Sequence, residues 1–200
     1  MKLIGIIGRK QSGKTILTGY MLRKYNGMTV ALGDAVKSVC KILFDWSYEQ
    51  LYGNLKEEID PRWGISPRQS FEWVGTNAIQ FNLPEAFPGY AEKIGRLHWC
   101  KVAQEKILRI MSAFGPCKGD FIVISDIRFK HEQNSMLEFS KEHNVEFVTI
   151  KITRKITKKL NSSDTALSET ESDTLSADIL LRNDGSLEDL YTAFDLLNLL

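Results

Sequence analysis

Gly8-Arg9-Lys10-Gln11-Ser12-Gly13-Lys14-Thr15 has the form G-x-x-x-x-G-K-T, the spacing of a phosphate-binding P-loop. The two glycines let the backbone curl until successive N–H groups face a triphosphate. Lys14 reaches the β and γ phosphates, and Thr15 offers its hydroxyl to Mg²⁺. Lys10, Gln11, Ser12, Gly13, Lys14 and Thr15 are therefore candidate nucleotide-binding residues. The flanks agree. Lys2-Leu3-Ile4-Gly5-Ile6-Ile7 is apolar and β-branched, as a buried parallel strand over about 2–8 requires. Residues 14–25 read as a helix whose positive N-terminus faces the phosphates.

The bulk properties narrow the class. The chain has 200 residues, 43% of them hydrophobic and 26% charged, which suits one globular domain with a sizeable core. A formal net charge of +1 gives no strong basic field for nucleic acid or an anionic membrane. A strand starting at Lys2 leaves no room for a signal peptide, and no apolar run approaches the roughly 18 residues of a membrane span. Cys40, Cys100 and Cys117 form no C-x-x-C pattern, so a reducing, cytoplasmic setting is expected.

Strand and helix patterns alternate. Further strands are expected at 28–32, 120–125, 145–152 and 177–181, which implies a parallel α/β sheet with helices on both faces. Residues 34–119 exceed a simple crossover and read as helices at about 35–46, 67–81 and 93–113. Ser66-Pro67-Arg68-Gln69 opens the second of these, with an N-cap, a proline at N1 and a capping-box glutamine. Such an insertion can build a second binding wall over the P-loop. Thr153 to Ser176 is polar with little apolar periodicity, and suits either an exposed connector or a mobile basic lid. Asn183-Asp184-Gly185-Ser186 forms a turn and N-cap before an amphipathic helix to Leu200.

Asp126 follows an apolar strand, where a carboxylate can hold Mg²⁺ through water or orient an acceptor. Arg128 lies at the same rim, and in parallel sheets ligands bind beyond the strands' carboxyl ends. The plain alternatives are a turn cap for Asp126 and a surface ion pair for Arg128. Phosphoryl transfer rests on positioning and charge neutralisation, so an acceptor phosphate needs its own cations; Lys37 and Arg68 are candidates. Arg68, Glu72 and Thr76 are spaced i, i+4, i+8 and share one helix face, where Arg68 can hold a phosphate and Glu72 can accept from a base N–H. An ordinary ion pair on a solvated face is the competing reading. Trp73 and Trp99 suit core packing better than base stacking. The three histidines form no ligand pair, so no metal beyond nucleotide-bound Mg²⁺ is expected.

Together these segments resemble the deoxynucleoside monophosphate kinases of T4-type bacteriophages. The carriers are the P-loop, Gly33-Asp34-Ala35-Val36-Lys37, Ser66-Pro67-Arg68-Gln69 leading to Val74-Gly75-Thr76, Asp126-Ile127-Arg128 with His131-Glu132, Ser168-Glu169, and Asp178-Ile179-Leu180-Leu181-Arg182-Asn183-Asp184-Gly185-Ser186. The resemblance implies a three-layer P-loop kinase fold with a five-stranded parallel sheet of order 2-3-1-4-5. It implies one domain: core 1–34, 115–152 and 177–200, an acceptor-binding helical insertion 35–114 and a lid 153–176. It further implies ATP as phosphoryl donor with Mg²⁺ held at Thr15 and Asp126, and transfer to a dNMP giving dNDP and ADP, in a host cytoplasm if the chain is viral. Lys37, Arg68 and Arg128 would hold the acceptor phosphate, within a substrate site that also takes in Asp34, Glu72, Trp73, Gly75, Thr76 and Glu132. Lys14, Asp126, Arg128 and Arg154 would form the catalytic set, Arg154 acting from the lid. Asn183 and Gly185 would lie by the adenine. Dimerisation belongs to the family. Ala166 departs from the pattern, standing where relatives often carry histidine, and Thr15 stands where many have an acidic residue.

Two other readings compete. A kinase of the dephospho-coenzyme A or phosphomevalonate type would need a pocket for a larger or non-nucleotide phosphate, whereas Glu72 and the aromatic-rich insertion favour a base. A nucleotide-binding switch without transfer would have no use for two sets of phosphate cations, and the G-domain N-K-x-D motif is absent from the sequence.

Overall fold

The structure, a computed structural model, describes residues 1–114, 121–155 and 167–200. Its strands are β1 (Lys2–Ile7), β2 (Gly27–Val30), β3 (Phe121–Ile127), β4 (Glu146–Thr153) and β5 (Ile179–Arg182). Its α-helices are α1 (Lys14–Lys24), α2 (Leu32–Phe44), α3 (Tyr48–Leu51), α4 (Pro67–Glu72), α5 (Leu83–Ala86), α6 (Pro88–Lys93), α7 (His98–Phe114), α8 (Lys130–Glu142), α9 (Leu167–Thr174) and α10 (Leu187–Asp195). The chain divides into two compact units, one of Met1–Ala31 with Ala103–Leu200, the other of Leu32–Val102.

The first unit is built on one parallel sheet of order β2-β3-β1-β4-β5, with helices on both sides. This is the order that the family resemblance implies. β1 lies at the centre because residues 3–7 are apolar or glycine and can be buried on both faces. Ile4 and Ile6 join Val123, Ile150 and Ile152 of the neighbouring strands with Leu17 and Met21 of α1 and Leu190 and Phe194 of α10. The C-terminal helix is locked to α1 by rings and charge. Tyr20 stacks on Tyr191 at 4.1 Å, and Asp195 accepts from Tyr20 (2.6 Å), Lys24 (2.6 Å) and Tyr25 (3.1 Å). Ser186 opens α10 in a reciprocal capping box with Asp189, as the turn sequence predicts. Between β4 and β5, Asp178 accepts from the amide and hydroxyl of Thr149, both at 2.7 Å.

The second unit has its own core of Val36, Cys40, Trp46, Leu51, Val74 and Trp99. Each buried indole finds an acceptor, as burial demands: Trp46 donates to the Ser70 hydroxyl at 2.9 Å and Trp99 to the Gly75 carbonyl at 2.8 Å. Ser66 and Gln69 form the predicted capping box of α4. The helix does not continue to residue 81 in α geometry. From Trp73 to Asn82 it is a π-helix, and Leu83 donates to the carbonyl of Ala78, five residues back. The i, i+4, i+8 face drawn through Arg68, Glu72 and Thr76 assumed 3.6 residues per turn, so it holds for the first pair and not beyond.

Further boundaries differ from the sequence reading: Leu32, expected in the second strand, opens α2, and α10 ends at Asp195 rather than at Leu200. α9 occupies part of a stretch in which no helix was expected, since its sequence Leu167–Thr174 has one apolar residue. The 93–113 helix starts only at His98, because residues 93–97 close α6 and form a 3₁₀ turn. Asp120, Cys117, the basic run at Lys158 and Lys159, and Ala166 lie outside the described residues.

Phe194 is 2% exposed and joins α10 to the sheet core. Phe194→Ala is expected to cost about 3–5 kcal/mol, read as a lowered urea midpoint with an unchanged m-value. An unchanged midpoint would mean that α10 is not part of the cooperative core.

Candidate active site

β1 runs directly into the loop that precedes α1, and the loop's backbone dictates its residues. Gly13 has φ +110° and Gly8 φ +153°, values that residues with a Cβ rarely adopt. A Cβ on Gly8 would fall 2.5 Å from the Ile152 carbonyl oxygen, and one on Gly13 would strike the side-chain amide of Asn183. Gln11 holds φ +64° without being glycine, the kind of local strain that marks functional loops. Lys14, the first residue of α1, donates to the carbonyls of Gly8 and Arg9. Ser12 is 4% exposed, and its hydroxyl oxygen has no hydrogen-bond partner among the described residues.

Asn183, just after β5, is 3% exposed. Its amide donates to the Ser12 carbonyl at 2.8 Å, and its backbone N–H donates to the Thr153 carbonyl at 2.8 Å. The residue thus ties β4, β5 and the P-loop together. Its side chain is engaged with the loop itself. Gly185 follows in the exposed turn before α10.

Against the loop lies a cavity of about 300 Å³. Four of its lining residues are cations: Arg9, Lys10, Lys151 and Arg154. The carboxylate is Asp173, and Gly8, Ser12 and the end of β4 complete the wall. Arg9 Nε donates to both carboxylate oxygens of Asp173 at 2.8 Å, and its Nη2 closes the fork. Arg9 holds the Asp173 carboxyl below its ordinary range, with hydrogen bonding as the largest cause. Lys151 Nζ donates to the carbonyls of Asp173 (2.6 Å) and Leu175 (2.9 Å). Arg9, Lys151 and Asp173 escaped the sequence reading. Lys151 carried a usable signal, standing at the carboxyl end of a parallel strand; nothing local marks Asp173.

Asp126 is the penultimate residue of β3, half-buried, on the strand adjacent to the one that feeds the P-loop. Ile7 and Ile127 are in register. Glu132 is 5% exposed, and its Oε2 accepts from the amides of Arg128 (2.8 Å) and Phe129 (3.0 Å). It caps α8 and fixes the Arg128 backbone. Burial pushes the Glu132 carboxyl up to about 7, the Asp126 charge adding to the shift and the two amides opposing it.

The second unit carries the remaining candidates. Lys37 pairs with Asp34 at 3.7 Å and lies 4.4 Å from the centre of the Tyr52 ring. Arg68 pairs with Glu57 at 3.3 Å, so its carboxylate partner is not Glu72. Gly75 is buried against Val36 of α2, where a Cβ would meet both methyl groups at 3.3 Å, and its carbonyl takes the Trp99 indole N–H. Trp99 is core, 5% exposed, whereas Trp73 is 56% exposed. Thr76 is half-buried and Glu72 exposed.

A P-loop at the end of the central strand of a 2-3-1-4-5 parallel sheet, faced by a cavity rich in cations, is the construction of a P-loop kinase. Comparisons with known proteins make the class specific. The family model for deoxynucleotide monophosphate kinase matches residues 90–194, a span that holds Asp126, Arg128 and Asn183. A protein of Acanthamoeba polyphaga mimivirus, whose name of deoxynucleotide monophosphate kinase is itself an inference, is 33% identical over 196 residues, covering 96% of this chain and 93% of its own length. The chain belongs to the deoxynucleotide monophosphate kinase family and is a phosphotransferase. Among solved structures, Thermus thermophilus TT1252 aligns over all of this chain and 98% of its own at 16% identity, with a TM-score of 0.48. A mutant APS kinase of Mycobacterium tuberculosis aligns over 98% and 96% at 11% identity, with a TM-score of 0.46. The strand order, not these scores, carries the fold. No helix among the described residues is long and apolar enough to cross a membrane.

Two tests follow from this geometry. Asn183→Ala leaves a buried carbonyl unpaired and is expected to cost about 1–3 kcal/mol of stability, with weaker ATP binding by calorimetry. Full stability and unchanged affinity would remove Asn183 from the support of the loop. Glu132 keeps a proton in the folded state that the unfolded chain releases above about pH 4.5. Its contribution to stability therefore falls as pH rises towards about 7 and levels off above. Urea midpoints of Glu132→Gln across this range should lack that component; identical slopes in the two proteins would contradict the raised carboxyl.

Proposed function

We propose that this protein transfers the γ-phosphoryl group of ATP to a deoxynucleoside monophosphate, giving dNDP and ADP. In this reading it supplies dNTP precursors for phage-type viral DNA synthesis, in the host cytoplasm, and pairs as a homodimer as the resemblance implies. The observation that carries the phosphoryl chemistry is the P-loop cavity. A curled backbone and the cations Arg9, Lys10, Lys151 and Arg154 face one small space, which is the demand of a triphosphate. Family membership supports the acceptor class.

Mg²⁺ fits the residues of the first unit. Substrate-bound Mg²⁺ takes most of its ligands from phosphates and water and asks the protein for one or two oxygens. Thr15 is exposed at the start of α1 and Asp126 stands half-buried at the end of β3, and these are the residues that would hold it. No group of three or more metal-ligating side chains exists among the described residues. When bound, the ion supplies charge neutralisation on the phosphate oxygens.

The chain's own residues supply positioning. Lys14 moves from the loop carbonyls to the β and γ phosphates, and Arg154 meets the transferring group. Lys10, Gln11, Ser12 and Gly13 wrap the donor phosphates, with Asn183 and Gly185 at the adenine end. Arg128, held through Glu132, takes the acceptor phosphate with Lys37 and Arg68. Asp34, Glu72, Trp73, Gly75 and Thr76 shape the rest of the acceptor's surroundings. The attacking phosphate oxygen is already anionic near neutral pH, so no general base is required. Water is excluded when both nucleotides are bound.

A coupled ADP-release assay with Mg·ATP against dGMP, dTMP, dCMP, dAMP and GMP, with product identity checked, tests the reading. Turnover with one or more deoxynucleotides is expected. Tight ATP binding without turnover on any of them would shift the assignment to another acceptor or to a switch. Lys14→Ala should lower kcat by about a hundredfold or more with an unchanged melting temperature; near-normal turnover would end the P-loop role. Arg68→Ala should raise KM for dNMP more than for ATP, and an effect confined to ATP would overturn its acceptor role.

A further inference from the structure

The P-loop arginine is not part of the G-x-x-x-x-G-K-T signature, yet the structure gives it a specific partner. Asp173 comes from α9, 164 positions along the chain. Lys151 holds the C-terminal end of α9 through the Asp173 and Leu175 carbonyls. A third tie runs from the other side, where the Lys130 amide donates to Glu171 at 2.9 Å. Ser172 and Leu175 are buried, so the neighbours of Asp173 anchor it to the unit. Asp173 thus presents a carboxylate, at the wall of the donor cavity, to a guanidinium that belongs to the phosphate loop.

A planar guanidinium recognises carboxylate and phosphate by the same fork of N–H donors. Both sides of the pair line the cavity that a polyphosphate must enter. An incoming phosphate brings more negative charge than a carboxylate and finds Lys10, Lys151 and Arg154 around it. The pair itself is only partly buried, its side chains being 34% and 42% exposed. Pairs of that exposure are held weakly and exchange at low cost.

We propose that Arg9 is a further ligand of the donor polyphosphate, and that Asp173 is its built-in competitor, surrendering the guanidinium to a phosphate oxygen when ATP binds. Asp173 therefore sets donor affinity from outside the P-loop. It holds the Arg9 guanidinium in the cavity, and it lowers the affinity for any ligand with too little charge to displace it. The proposal rests on the reading of the cavity as the ATP site.

The test is calorimetric binding of ATP and of ADP to the full-length protein and to Arg9→Ala, Arg9→Lys, Asp173→Asn and the double variant Arg9→Ala/Asp173→Asn. Melting temperature is recorded for each. Asp173→Asn should tighten ATP binding by about two- to fivefold, the size of one exchanged surface pair. Arg9→Ala should weaken it by about tenfold, as loss of one charge-assisted contact does, and Arg9→Lys should restore only part because it lacks the fork. In the double variant the gain from Asp173→Asn should vanish. If Asp173→Asn weakens binding as much as Arg9→Ala, the pair is a brace that persists with nucleotide bound, and the exchange is wrong. If Asp173→Asn changes nothing while the unaltered protein binds ATP, the exchange is likewise overturned, with the ATP site intact. If the unaltered protein binds no ATP, the reading of the cavity fails first and takes the proposal with it.

Discussion

The constraint on which the donor site depends is the conformation at Gly13. Its backbone sits at φ +110°, and the space where a side chain would begin is filled by the Asn183 amide. That amide donates to the carbonyl of Ser12, one residue earlier. The loop's curl is thus held by a residue beyond β5, 171 positions away along the chain. Asn183 is placed in turn by its own N–H on Thr153, at the end of β4. Three segments that the sheet order brings together close on one peptide group. The phosphate cradle is therefore a product of the whole β1-β4-β5 half of the sheet and not of an eight-residue motif alone.

This explains why the motif was legible and its support was not. G-x-x-x-x-G-K-T declares itself because glycine at 8 and 13 answers a backbone demand that no other residue meets without strain. The alternation of apolar runs with helical stretches declares the parallel sheet for a similar reason. β1 from Leu3 and the first four residues of β3 are buried on both faces, so they read as continuous apolar runs, whereas β4 carries Thr149 and Lys151 among its apolar residues. The edge strand β5 is as short as β2 at four residues, yet both were found because turn residues bracket them. The strand order came from resemblance to a family, not from any run of residues.

What escaped has a common physical origin. α9 is polar over most of its length, and its stability comes from contacts that only the folded chain supplies: Asp173 with Arg9, Glu171 with the first turn of α8, and two carbonyls with Lys151. No periodicity in its own sequence announces such a helix. The π-helix in the second unit is the same kind of failure. Its residues fit an α pattern as well as any, so nothing in the sequence announces the wider turn. The role of Glu132 also lay out of reach. Spacing marks it as a possible cap, but only its burial and its two amide donors show that it serves the Arg128 backbone.

The cations assigned to phosphates share one further property. Arg9 is held by Asp173, Lys37 by Asp34 and Arg68 by Glu57, while Lys14 turns back on its own loop's carbonyls. A cation drawn partly out of water without a partner loses hydration without return. A local carboxylate removes that cost and keeps the side chain extended where a phosphate will need it. In the proposed chemistry the partner must also let go, and partial exposure favours that, because an ion pair open to water contributes little net stability. A fully buried carboxylate at any of these positions would make the cation a fixed structural charge. The exposure of Asp34, Glu57 and Asp173, between 38% and 47%, therefore matters as much to the proposed chemistry as the identity of the cations they hold.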